Sequence, residues 1–130
     1  MIQTFRIQQK TSGIYTATLK DETGTVIPLA GLSVLLLTLY NADVPEPLVV
    51  ADNIINSRNL QNVLNQNNVT FHATSGLLTW TLQPADTTIV DETRKTELHV
   101  ARFDFTYGTP TKLGAHEIKF RVENLRKVTS

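Results

Sequence analysis

The stretch AHEIKFRVE, residues 115–123, alternates without a break. His116, Ile118, Phe120 and Val122 fall on one side, and Glu117, Lys119, Arg121 and Glu123 on the other. A period of two belongs to a strand with one face in a core and one in water, whereas a helix repeats its apolar positions every three or four residues. The alternating charges on the polar side predict a soluble sheet edge that resists edge-to-edge pairing. The same rhythm recurs along the chain. Phe5 and Ile7 share one face of the first segment. Tyr15, Ala17 and Leu19 share a face of the second. Leu78, Trp80 and Leu82 alternate with Thr79 and Thr81, and Ala101, Phe103, Phe105 and Tyr107 alternate with Arg102, Asp104 and Thr106. No long amphipathic helical pattern interrupts them.

Between these segments the chain carries turn chemistry. DETG (21–24) predicts a hairpin or bulged connection into VIPL (26–29), because Asp and Gly tolerate the dihedral angles of tight turns. Pro45 and Pro47 make 41–47 a loop, after which Leu48 to Val50 could resume a short strand. ATSG (73–76) joins Val69–Phe71 to Leu77–Leu82 as a hairpin, and GTPTKLG (108–114) joins the last two strands. Pro84-Ala85-Asp86 turns a corner between sheets, with Asp86 capping it through backbone N–H groups after Pro84. The run from Leu32 to Tyr40 is apolar on both faces. That predicts a central strand or one covered by another protein. It is far shorter than the ~20 residues of a membrane helix.

These features predict an all-β fold: an immunoglobulin-like antiparallel β-sandwich of seven to eight strands, one domain over residues 1–130. Leu78, Trp80, Leu82, Phe103, Phe105, Ile118 and Phe120 are the expected core. The indole N–H of Trp80 is expected to find a carbonyl or polar side chain. With no cysteine, disulfides and thiolate metal sites are excluded, and stability must come from burial. The opening MIQTFRIQQK alternates like a strand and lacks the apolar centre of a targeting segment.

Asn recurs at 53, 56, 59, 62, 65 and 68. Such a segment could be a presented recognition loop. The ordinary reading is a long connection whose Asn side chains bond nearby backbone, with Val63 and Leu64 plugged into the core and a helical turn feasible over Leu60–Leu64.

The inventory of reactive groups points away from catalysis. His72, His99 and His116 show no metal-ligand spacing. His99 and His116 could lie close on paired strands, without an evident third ligand. No serine sits in a nucleophile elbow. Asp86, Asp91, Glu92 and Glu97 could form a calcium site or acid–base pair, but turn capping and solvation account for them. Twelve basic residues balance twelve acidic ones, and the adjacent basic residues in ETRKTE and LRKV make no patch for nucleic acid. The expectation is therefore no catalytic residue, no metal, no cofactor, no specific nucleic acid and no membrane. A carbohydrate-binding module stacking sugars on Tyr40, Tyr107 or Trp80 is the alternative of a different class.

Three stretches, YTATLKDETGTVIPLAGLSVLLLTLY, NNVTFHATSGLLTWTLQPADTTIVD and HEIKFRVENL, together resemble small virion proteins of tailed bacteriophages with immunoglobulin-like sandwiches. LKDETGTVIPLAGLSVLLLTL also resembles the N-terminal sandwich of phage upper-baseplate proteins. The resemblance runs from about Tyr15 to Leu125. It implies a non-enzymatic structural subunit, made in the bacterial host cytoplasm and carried in the virion. One position it implies is the capsid exterior, as a cement or decoration protein bound to the major capsid protein. The other is the neck, tail or baseplate, as an adaptor to other virion proteins; a homo-oligomer stays open in both. Expected partner-binding residues are Phe5 and Ile7 on a terminal strand that could add to a neighbour's sheet, Leu36 and Tyr40 on the doubly apolar strand, and Val44, Asn59 and Asn62 in the loops.

Overall fold

In the computed structural model, which describes residues 3–90, 93–108 and 110–124, the alternating segments become strands. They are β1 (Gln3–Gln8), β2 (Gly13–Thr18), β3 (Leu32–Asn41), β4 (Gln61–Asn62), β5 (Val69–Phe71), β6 (Leu77–Leu82), β7 (Thr96–Tyr107) and β8 (Lys112–Glu123). They form a five-stranded sheet in the order β1-β8-β7-β3-β4 and a three-stranded sheet in the order β2-β6-β5. The all-β sandwich predicted with seven to eight strands is the fold, with eight strands among the described residues. Its pairing is not wholly antiparallel, because β1 runs parallel to β8.

The alternation dictates which face is buried. Leu35, Leu37 and Leu39 of β3, Ala101, Phe103 and Phe105 of β7, and Ile118, Phe120 and Val122 of β8 point inward. Against them come Tyr15 of β2, Leu78, Trp80 and Leu82 of β6, and Val69 and Phe71 of β5. Trp80 sits between the sheets, edge-on to Phe103 at 5.8 Å and to Phe120 at 6.3 Å. Each such fully buried large side chain contributes ~1.5–3 kcal/mol. All seven expected core residues lie in this cluster.

Several local expectations are corrected. β8 is not an edge, since β1 covers its free side. Leu48–Val50 makes no strand; a 3₁₀ turn at Val50–Asp52 follows instead, and Ile54 bridges back to Tyr40. No helical turn forms at Leu60–Leu64, because Gln61 and Asn62 pair with Leu37 and Leu36 as β4. The indole N–H of Trp80 has no hydrogen-bond partner among the described residues; the ring instead lies 5.9 Å from the Arg58 guanidinium. His99 stands opposite Phe120, and His116 opposite Phe103, so strand pairing keeps the two histidines four positions apart.

The turns follow their chemistry. Asp21 accepts the N–H groups of Thr23 and Thr25, at 2.9 and 3.0 Å, and so holds the DETG turn. Pro84–Thr87 is a 3₁₀ turn that carries the chain from β6 in the small sheet to β7 in the large one. Asp86 caps it by reaching back to the N–H of Gln83, at 2.7 Å, before the proline instead of after it.

Candidate interaction surface

The outer face of the five-stranded sheet is built by the residues between the core positions. Strand register arranges them in rows across β3, β7 and β8: Val34–Thr106–Leu113, then Leu36–Asp104–Ala115, then Thr38–Arg102–Glu117. The first two rows are largely apolar, the third charged. Leu113 is 83% exposed, Val34 39% and the adjoining Leu60 58%, although each is large and hydrophobic. Arg102 donates to Asp104 at 2.9 Å, in the middle of the face.

Two open depressions of about 380 and 360 Å³ flank that ion pair, and both are lined by Arg102 and Asp104. One is walled by Val34, Leu36 and Leu113, the other by Tyr40, Asn59 and Leu60. Burial, and then the Glu117 carboxylate, push the Tyr40 phenol above its ordinary value. The phenol therefore stays a neutral donor and acceptor. The hydrogen bond from Arg102 to Asp104 holds that guanidinium charged. The arrangement offers area, an apolar half and fixed polar groups.

Of the expected partner-binding residues, Leu36, Tyr40 and Asn59 meet on this face, and Asn62 is the register partner of Leu36 on β4. Val44 lies elsewhere. It follows Asp43, whose carboxylate accepts the Leu98 N–H at 2.9 Å and Arg121 at 3.2 Å, at the end of the sheet where β7 begins. Phe5 and Ile7 lie on β1, at one edge of the same sheet, and are partly buried. Phe5 stacks on Phe120 at 5.1 Å and both side chains pack against the core; one edge of β1 pairs with β8, and its other edge has no strand partner among the described residues.

The Asn-rich segment proves to be a locally satisfied connection. Asn56, Asn65, Asn67 and Asn68 all take left-handed backbone angles, which Asn tolerates. The Asn65 side chain accepts the Phe71 N–H at 2.6 Å, and Asn67 donates to the Asn62 carbonyl at 2.7 Å. Val63 is fully buried and Leu64 packs against the core.

Within that segment lies a residue that pattern reading passed over. Arg58 is buried and grips Asp86 by two bonds, at 2.6 and 3.2 Å. Its remaining donors go to Gln61, the Asn67 carbonyl and Asn68, and Asn56 donates to Asp86. The only signal in the sequence was a lone cation among amides, which reads as a solvated loop residue.

The other polar groups inside the sandwich are also structural in their contacts. Glu97 and His99 are fully buried 2.7 Å apart, and Glu97 also accepts the Val90 N–H. Tyr15 and His116 share a 2.6 Å hydrogen bond that links the two sheets. Burial raises the tyrosine and lowers the histidine, so a neutral phenol meets a neutral imidazole. Asp86 and Glu97 go to different partners, while Asp91, Glu92 and the basic pair Arg126–Lys127 lie outside the described residues. Trp80 is buried and cannot stack on a sugar. Tyr40 faces outward and Tyr107 packs against the core, so they make no common platform.

Compared with known proteins, the chain matches no family model, no curated relative and no solved structure.

Proposed function

We propose that this chain is a non-enzymatic structural protein of a tailed-phage particle, most simply a capsid cement that binds neighbouring shell subunits through the outer face of its five-stranded sheet. The observation that carries the reading is the set Val34, Leu36, Leu60 and Leu113, left exposed or half-exposed beside one ion pair on a rigid sheet. An apolar centre with a polar margin is the anatomy of a protein contact. The likeness of the three sequence stretches to small virion sandwiches supplies the particle. A stable contact removes ~1,200–2,000 Å² from water in total, which a whole sheet face can offer and a cleft cannot. An adaptor in the neck, tail or baseplate uses the same face and differs in its partner.

The test uses purified protein added to emptied particles that lack it. Wild type is expected to bind the shell and raise its resistance to heat. Leu36→Lys, opposite Asp104, and Leu113→Asp, at positions outside the core, should keep the urea midpoint and lose binding. Binding to isolated tails instead of shells selects the adaptor. Full shell binding by both variants would remove this face from the proposal.

A further inference from the structure

The sandwich treats its two flanks differently. On one flank the sheets end in β4 and β5, strands of two and three residues. Such short edges are protected against pairing with another chain. On the other flank they end in β1 and β2, each of six residues and free of proline and lysine. β1 is guarded by Arg6, which stands beside Glu123 at 3.5 Å. β2, with the sequence GIYTAT, carries no charge at all.

The hydrogen bonds say which β2 groups face outward. The N–H of Thr81 goes to Asn68 and the carbonyl of Leu77 accepts from His72, both away from β2. Main-chain groups alternate sides along an antiparallel strand, so Leu78, Trp80 and Leu82 are the residues bonded to β2. Their register partners Ala17, Tyr15 and Gly13 face β6. Ile14, Thr16 and Thr18 therefore direct their N–H and C=O groups out of the free edge. No other strand or loop among the described residues takes them. Ile14 also exposes 72% of its surface on the outer face.

We infer that β2 is a self-association edge, joining two copies of this chain as an antiparallel pair about a two-fold axis through Thr16. The occupant is a second copy because an uncharged strand meets no like charge when it pairs with itself, whereas self-pairing of β1 would set Arg6 against Arg6. In this register Thr16 faces Thr16 and Ile14 faces Thr18, each pair exchanging both main-chain bonds. The row Thr70–Thr79–Thr16 then continues into its copy, and cross-strand Thr pairs are favourable. Two three-stranded sheets become one. The inference stands on this edge alone and is independent of the virion reading.

The absence of cysteine makes a direct test available. Residues opposite one another in such a pair have Cα atoms ~5.5 Å apart, within disulfide reach. Full-length Thr16→Cys under mild oxidation is expected to form a disulfide-linked dimer, and Thr79→Cys, one strand further in, is not. Sedimentation of wild type should show the mass rising with concentration from 14.5 kDa toward twice that value. Thr16→Pro and Ile14→Lys should stay monomeric with an unchanged circular dichroism spectrum, since neither alters a group bonded to β6 and proline is tolerated on the outer side of an edge strand. A wild type that stays monomeric at every concentration overturns the inference, as does cross-linking of Thr16→Cys no faster than that of Thr79→Cys.

Discussion

Arg58→Met removes a buried cation while leaving most of its apolar stem. The carboxylate of Asp86 would keep the Asn56 amide and the Gln83 N–H. It would lose both guanidinium bonds, at a place with no exposure to water. Breaking one partner of a buried pair costs ~3–5 kcal/mol, because the remaining charge is uncompensated. Asn67, Asn68 and Gln61 lose donors too, but they sit in part-exposed positions where water can replace the bond, so no further cost is added. For 130 residues the unfolding entropy is about 0.27 kcal/mol/K, which converts the loss to a fall in Tm of about 11–18 °C. Domains of this kind hold ~5–15 kcal/mol in all, so the variant stays folded except near the lower end of that range. Urea unfolding followed by the fluorescence of Trp80, the single tryptophan, reads the loss as a lower midpoint at constant slope. Asp86→Asn in the Arg58→Met background removes the stranded charge, and a coupling of about 1–3 kcal/mol between the two sites is expected. A loss under about 1 kcal/mol for Arg58→Met, or strict additivity of the two changes, would refute the account of Arg58 as the cation that Asp86 requires.

Burial lowers His116 below its ordinary value, so the unfolded chain takes up its proton at a higher pH than the folded one. The stability from this group is present above the unfolded pKa of about 6.5 and is lost as pH falls through it toward the folded value. The urea midpoint of wild type should fall between about pH 7 and pH 5 more steeply than that of His116→Gln; equal slopes would remove His116 as the cause. At Gly114, a Cβ would overlap the ring of Phe105, its cross-strand partner. Gly114→Ala should therefore cost ~1–3 kcal/mol as overpacking, and Gly114→Ala with Phe105→Leu should recover part of it; an unchanged midpoint for the single variant would mean the ring moves aside freely.

Most of the sandwich was legible because period two is a local property. β5, β6 and the ATSG hairpin fall where their residues predict them, and the inward set Phe103, Phe105, Ile118 and Phe120 follows from alternation alone. What was not legible was whatever depended on neighbours. Phe5 and Ile7 alternate as any terminal strand does, and nothing in their spacing says that one edge of the strand pairs with β8 of the same molecule. The charged side of β8 reads as an edge device, yet the chain end returns to cover it. The candidate surface was half-visible: Leu36 and Tyr40 announce themselves in a doubly apolar run, whereas Leu113 and Leu60 join them only through strand register and loop path.

The amino-acid order by itself determined the long strands, the buried face of each and most of the turns, since those follow from side-chain alternation and from the dihedral preferences of Asn, Asp, Gly and Pro. Only tertiary structure decided that Arg58 meets Asp86, that β1 lies parallel to β8, and that β2 is left with an open, uncharged edge. Each joins residues far apart in the chain, and a lone arginine or an unpaired carbonyl looks the same in sequence whether water or protein finally satisfies it.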